Sequence, residues 1–183
     1  RKADLLFGPF AGHLPNVKTY VDAEATAQDF GFPTEGYEAP YGQAQFVFEY
    51  DSAVIPVPPR NFAELADWVR AHPGRFTYPQ PPDVTGGPKQ YMAGFNQGAF
   101  DKNVPALWAY LNGLKPGLWR QGRAYPKDSA ALDTMFARGE VDFGMSYHPL
   151  HAQSKIMDGS YKPSVRTFVL QDGSIYNLHF TAI

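Results

Sequence analysis

Asp128-Ser-Ala-Ala-Leu-Asp-Thr-Met-Phe-Ala-Arg-Gly-Glu-Val-Asp-Phe-Gly-Met-Ser-Tyr-His-Pro149 changes its hydrophobic period halfway along, and that change decides the fold. In the first half Leu132, Met135 and Phe136 recur at i, i+3, i+4, which gives a helix one apolar face. Asp128 or Ser129 can cap its start by accepting from a free backbone N–H. Gly139 stands where a left-handed residue ends a helix at least cost. In the second half Val141, Phe143 and Met145 alternate with Asp142, Gly144 and Ser146, the two-residue period of a strand. That strand delivers Ser146, Tyr147 and His148 at its carboxyl end, before Pro149 opens another helix. Ligands of open α/β sheets sit beyond the carboxyl ends of strands, so the stretch predicts a site as well as a folding unit.

The same reading extends outward. Residues 43–50 predict a strand with Ala44, Phe46, Phe48 and Tyr50 on one face, followed by an extended connector through Pro56, Pro58 and Pro59. Asn61 and Glu64 form a capping box ahead of Leu65, Trp68 and Val69, and His72-Pro73-Gly74 stops that helix. A short strand over 75–78 leads into the loop 79–88. Residues 89–103, with Gly94 and Gly98, show weak periodicity. Pro105 fits the first position of a helix bearing Leu107, Trp108, Leu111 and Leu114, and both Trp68 and Trp108 read as core. A strand is expected over 118–123 and a helix over 150–157. Strands over 165–170 and 175–182 are joined at Asp172-Gly173, a hairpin signal. Residues 1–40, broken by Pro15, Gly31, Pro33, Gly36 and Pro40, read as a crossing connection rather than a domain. Strands alternating with helices make this an α/β chain with a mixed, mostly parallel sheet flanked by helices.

Composition narrows the function. The 183 residues are 44% hydrophobic and 19% charged, which suits one globular domain and not a disordered segment. A net charge of −2 lacks the basic footprint that nucleic acid requires. With no cysteine there is no disulfide framework, thiolate zinc site or cysteine nucleophile. No run of 18 apolar residues is present to span a bilayer. The opening Arg1-Lys2-Ala3-Asp4 is that of a mature protein or, as the better fit, a piece of a longer one.

Several groups can carry chemistry. In Pro82-Asp-Val-Thr-Gly-Gly87, Asp83 can cap a helix whose free N–H groups, with the Thr85 hydroxyl and Gly86, would hold an anion or a carbonyl oxygen. The plain alternative is a capped turn, and the Gly-Lys-Ser/Thr of a P-loop is missing. His148 and His151 stand at i, i+3, a spacing that can share a metal, although no third ligand is obvious. No serine occupies a Gly-x-Ser-x-Gly elbow. Arg120 and Arg123 can pair bidentately with an anion or can be surface charge. Tyr125 lies just ahead of the Asp128 helix. Tyr41 can place a ring at a cleft edge or belong to a turn.

Four runs in order carry a family resemblance. Tyr37-Glu-Ala-Pro-Tyr-Gly42 leads into Gln45-Phe-Val-Phe-Glu-Tyr-Asp-Ser52, and Pro58-Pro-Arg-Asn-Phe-Ala-Glu-Leu65 into Gly74-Arg-Phe-Thr-Tyr-Pro79. Leu118-Trp-Arg-Gln-Gly122 and Gly139-Glu-Val-Asp-Phe143 with Ser146-Tyr147 complete the set. Together they resemble a class II, two-lobed solute-binding protein of an ABC importer, in a branch beside the thiamine-, iron(III)- and polyamine-binding proteins. The resemblance implies two α/β lobes with the solute clamped between them. It makes residues 1–40 the remnant of the first lobe with an interlobe crossing. Residues 41–183 become the second lobe, with hinge strands at about 44–50 and 176–183. It implies solute contacts from the loop 82–86, from Ser129 at its helix start, and from Ser146, Tyr147 and His148. It further implies a periplasmic or lipid-anchored extracytoplasmic protein that is not an enzyme. Such a protein is monomeric, needs no cofactor, and delivers a small polar or aromatic solute to a permease in the inner membrane. The chain departs from the family pattern after the loop, where Gly87-Pro88 predicts a shortened or interrupted helix. Two other readings are a metal-binding module or metal-dependent hydrolase using His148 and His151, and a ligand-sensing regulatory domain of the same fold.

Overall fold

The computed structural model describes residues 8–16, 26–29, 32–80 and 97–182, apart from the side chains of 97–101 and 103. In chain order the elements are β1 (Gln28–Asp29), β2 (Phe32–Pro33), β3 (Glu38–Gln45), β4 (Val47–Asp51), α1 (Phe62–Ala71) and α2 (Gln97–Leu114). They continue with α3 (Ser129–Ala137), β5 (Phe143–Ser146), α4 (His151–Met157), β6 (Val165–Phe168) and β7 (Tyr176–Ala182). The chain divides into two compact units, Arg1–Ala44 with Tyr176–Ile183, and Gln45–Ile175.

In the first unit β1 and β2 form an antiparallel ribbon, and β3 pairs with β7. Gly36, at φ 78°, aims its carbonyl at two amides, those of Phe10 (2.9 Å) and Ala11 (3.0 Å). The second unit is built on a three-stranded sheet in the order β5-β4-β6. Both ladders are antiparallel, from Val47 opposite Ser146 to Tyr50 opposite Phe143, and from Phe48 opposite Phe168 to Asp51 opposite Val165. The expected mostly parallel sheet is therefore corrected. β4 runs against both neighbours, so that β5 and β6 are parallel to each other across it. In the second unit a direct parallel pairing is the bridge of Phe76 with Leu118. Pro79 and Pro116 remove backbone donors on either side of it and keep these segments from growing into full strands.

Local chemistry explains most elements. Asn61 caps α1, accepting from Glu64 N at 2.8 Å, while Glu64 reaches back to Arg60 N (2.9 Å), one residue beyond the cap. Leu65 and Val69 bury the helix stripe, and Trp68 sets its ring edge-on against Phe143 at 4.8 Å. All four residues of β5 are buried, so the expected alternation is lost. Trp68 covers one face of that strand, and Phe136 of α3 approaches the other at Gly144.

Other expectations are also corrected. α2 begins well before Pro105, whose missing N–H falls on the exposed side of the helix. Leu107, Leu111 and Leu114 form its buried stripe, whereas Trp108, one position around the helix, is 57% exposed and not core. Residues 119–122 form a tight 3-10 turn instead of a strand, with Arg120 (φ 50°) and Gln121 (φ 57°) left-handed. The strand over 43–50 breaks at Phe46, whose N–H donates to Ile175 O at 2.8 Å. A tight turn closes between Leu170 and Gly173, but β6 and β7 join different sheets and form no hairpin.

Candidate functional site

α3 and β5 return on one another. Asp128 caps the helix by accepting from Ala131 N at 2.9 Å, and the chain reverses at Gly139, whose φ of 69° suits a residue without Cβ. Packing of α3 on β5 then brings the helix start and the carboxyl end of the strand to the same end of the unit. Ser129 opens the helix there. Ser146 is buried and its Oγ accepts from His148 N at 3.0 Å, which shapes the turn after the strand. Tyr147 is half-buried, edge-on to Phe46 at 5.5 Å, with its carbonyl held by Gln45 N (2.9 Å); burial pushes its hydroxyl pKa up. His148 is exposed.

The segment 75–78 runs beside β5 in the same direction. Arg75 meets Asp142 and Phe76 meets Phe143, so the two chains advance in step. Tyr78 follows toward the same end and sets its ring, tilted by 30°, against Tyr125 at 5.2 Å, where Gln80 N donates to Pro126 O at 2.9 Å. Burial, then the Tyr125 hydroxyl, drives the Tyr78 pKa well above its ordinary value. Of the residues expected at a site, Tyr125, Ser129, Ser146, Tyr147 and His148 thus share one end of this unit. Arg123 does not join them. Its guanidinium donates to Gln121 Oε1 (2.6 Å), and it lines a shallow groove with Pro73, Gly74 and Pro116, beside the opening of the segment 75–78. Tyr41 belongs to the first unit, 73% exposed on β3 with His179 its ring neighbour at 6.0 Å. Asp83, Thr85 and Gly86 lie outside the described residues.

One layer below this rim is a group that sequence reasoning missed. His151, at the start of α4, places Nδ1 2.8 Å from Glu49 Oε1 and Nε2 3.2 Å from Asp133 Oδ2. Glu49 is completely buried in the middle of β4, and Lys155 stands 3.9 Å from Asp133. The Tyr161 hydroxyl lies against the same two carboxylates without a well-formed hydrogen bond, and burial followed by their charge raises its pKa. Asp133 first and Glu49 next push the His151 pKa up to about 9, with burial opposing. Glu49, Asp133 and His151 do bring donor atoms within 4.8 Å of one another. Both imidazole nitrogens face carboxylates, which only accept when ionised, and in that arrangement the ring stands as an imidazolium. The expected His148–His151 metal pair is corrected accordingly, since His148 points its backbone to Ser146 and His151 turns inward. The available signal was Glu49, a carboxylate in the middle of an apolar strand.

Comparison with known proteins places this architecture. Residues 3–183 match the family described as bacterial extracellular solute-binding protein. Protein YnjB of Escherichia coli (strain K12) is 34% identical over 197 residues, taking in 100% of this chain and 50% of its own length. Among solved structures, the spermidine/putrescine substrate-binding protein PotD from Streptococcus pneumoniae, in complex with calcium and HEPES, superposes with a TM-score of 0.66 at 13% identity. It covers 99% of this chain and 52% of its own. A periplasmic thiamin binding protein gives a TM-score of 0.53 at 19% identity, over 89% of this chain and 47% of its own. Those identities speak for the fold alone. The chain spans about half the length of the relatives it matches. Among the described residues no helix is long and apolar enough to cross a membrane. On the strength of a match running nearly end to end, the chain belongs to the family of bacterial extracellular solute-binding proteins.

Proposed function

We propose that this chain supplies the second lobe, with part of the crossing segments, of the solute-binding component of an ABC importer. Residues 1–40 then belong to the first lobe and its crossing, and 41–183 to the second. In this reading the whole protein is a periplasmic, non-enzymatic monomer that binds a small polar or aromatic organic solute between its lobes. It then presents that solute to a permease in the inner membrane. The observation that carries the reading is the collection of uncharged hydrogen-bonding and aromatic groups, Tyr125, Ser129, Ser146 and Tyr147, at one end of one sheet in a member of a solute-binding family. Tyr147 would wall the solute, Ser129 and Ser146 would orient its polar atoms, and Asp83, Thr85 and Gly86 would add hydrogen bonds from their loop. A polyamine-binding and a thiamin-binding protein share the fold, so amine-bearing organic solutes head the panel to be tried.

The test is a thermal-shift screen of the full-length protein against thiamine, spermidine, putrescine, sulfur oxyanions and Fe(III), followed by calorimetry. One class of organic solute is expected to raise Tm, with the gain reduced at least tenfold in affinity by Tyr147→Ala or Ser129→Ala. No response to any class, together with turnover of an ester or phosphate substrate, would sink the reading.

A further inference from the structure

The buried ionic group below the rim has a geometry that links it to the rim itself. Glu49 belongs to β4 and sits opposite Gly144 of β5. A Cβ on Gly144 would come within 2.8 Å of Glu49 Oε2, so the absence of a side chain at 144 leaves this carboxylate its place on the α3 and α4 side. Asp133 is one helical turn below Ser129 on α3, and i, i+4 residues share a face. His151 is the first residue of α4, three residues after His148 and five after Ser146. One imidazole therefore connects the middle of the sheet to the second turn of α3 and the first residue of α4.

The ring bridges through opposite nitrogens, 2.8 Å from one carboxylate and 3.2 Å from the other. Since carboxylates are acceptors only, both contacts require a proton on nitrogen. The groups facing His151 are Glu49 from β4, Asp133 from α3, Lys155 from α4, Asp158 just past the end of α4, and Tyr161 from the turn beyond. Glu49 and Asp133 against His151 and Lys155 balance to zero, with Asp158 exposed outside that group. A buried ion group of this kind is weak as a source of stability compared with an apolar replacement, and its best-attested use is to fix one arrangement over others.

We propose that His151, in its imidazolium form, is a positioning residue that ties the middle of α3 and the start of α4 to β4 and thereby holds Ser129 and the segment 146–148 in place for solute. The proposal rests on the reading of the rim given above. The raised His151 pKa of about 9 agrees with it, because the proton that makes the strut is retained at neutral pH.

The test needs no solute and uses the full-length protein. Ring ¹⁵N shifts at pH 7.5 are expected to show both His151 nitrogens protonated. In His151→Ala, hydrogen exchange at 129–133 and 148–153 should quicken at least tenfold, with α1 unchanged, and His151→Lys should recover part of that protection. Raising the wild-type protein from pH 7.5 to 10 should loosen the same two segments, after correction for base-catalysed exchange, and this arm serves if the alanine variant does not fold. A neutral ring at pH 7.5, or exchange that rises uniformly or not at all, would overturn the proposal. So would Zn²⁺ or Mn²⁺ stabilising the wild type and not His151→Ala, since His151 would then be a metal ligand. If thiamine, spermidine and the rest of the panel leave the wild type unmoved, the reading of the rim fails while local loosening in His151→Ala still stands.

Discussion

The two ends of the sheet in the second unit use charge in opposite ways. At the end where β4 finishes, Arg75 grips Asp142 with two hydrogen bonds and gives another to Gly139 O at 2.8 Å, and Lys162 reaches Asp51 at 3.1 Å. These five residues line a small cavity of about 60 Å³. Each charge there answers to a carbonyl or to an opposite charge on another segment, so this end is stapled shut. At the end where β5 finishes, Ser129, Ser146, Tyr147, Tyr78 and Tyr125 gather hydroxyls and rings beside the Asp128 cap and the exposed His148, and a buried ion group is set one layer down on His151. Charge staples one end directly; at the other a buried ion group supports hydroxyls and rings from behind. That is the division expected if the second end faces an organic solute whose recognition depends on oriented hydrogen bonds and aromatic contact.

The sharpest way to break the comparison is to remove the hidden ion. His151→Ala leaves two carboxylates facing each other, one fully buried, and should cost roughly 3–5 kcal/mol in a urea melt at pH 7. A loss under about 1 kcal/mol would mean the group is solvated and supports nothing. pH separates the two ends without mutation. Because the folded His151 pKa of about 9 lies above the ordinary 6.5, its contribution is complete below pH 6.5 and fades as pH rises through 9. That contribution is on the order of 3 kcal/mol. Asp51 has the opposite sign. Burial raises its pKa, but Ser164, Ala53 N and Lys162 prevail and hold it below 3.8, so its contribution is present above that pH and fades on acidification. His151→Gln should flatten the alkaline limb of stability, and Asp51→Asn the acid limb. Exchanged limbs would refute the assignment of proton sensitivity to the two ends.

Smaller effects sharpen the picture. Gly144→Ala drives a Cβ to 2.8 Å from Glu49 Oε2 and should cost about 1–3 kcal/mol, measured by thermal melt, with His151 losing alignment. Arg75→Ala at the stapled end should cost nearer 1 kcal/mol, because the Arg75 side chain is 39% exposed and water screens its pair. It should leave solute affinity unchanged. Equal damage to affinity from both variants would erase the distinction between the ends.

Much of this was legible in the residues because it is local. Caps at Asn61 and Asp128, the stripe Leu132, Met135 and Phe136, and the stop at Gly139 depend on neighbours within a turn, and they stand as read. What was not legible depends on partners distant in sequence. The direction of β4 against β5 rests on pairing with a strand far along the chain, which the alternation of 43–50 does not encode. Spacing predicts Trp108 in the core, yet spacing does not fix which flank of a stripe meets a neighbour, and Leu107 takes the inner place. The left-handed turn at Arg120 and Gln121 has no glycine before Gly122 to announce it. At the site the rim could be found from strand-end position, but the inward turn of His151 could not. Its partners lie 102 residues away at Glu49 and on another helix at Asp133.

The smallest effect makes the cleanest comparison, because the unit contains two matched caps. Asn61 accepts from Glu64 N at 2.8 Å and Asp128 from Ala131 N at 2.9 Å, each with extended backbone at the cap. Replacing either by alanine frees one helix-start donor and should cost about 1 kcal/mol, so both variants should melt together. Their consequences for binding should differ. Asp128 sets the opening turn that presents Ser129, whereas Asn61 sets a helix whose first turn is held by Asp172 and Tyr110. Calorimetry with whichever panel solute stabilises the wild type should find affinity lowered several-fold in Asp128→Ala and unchanged in Asn61→Ala. If both fall alike, loss of stability alone explains the effect and the start of α3 has no special claim on the solute. If only Asp128→Ala falls, two nearly identical hydrogen bonds have been told apart by what stands beside them, which is the sense in which the β5 end is a site and not another edge.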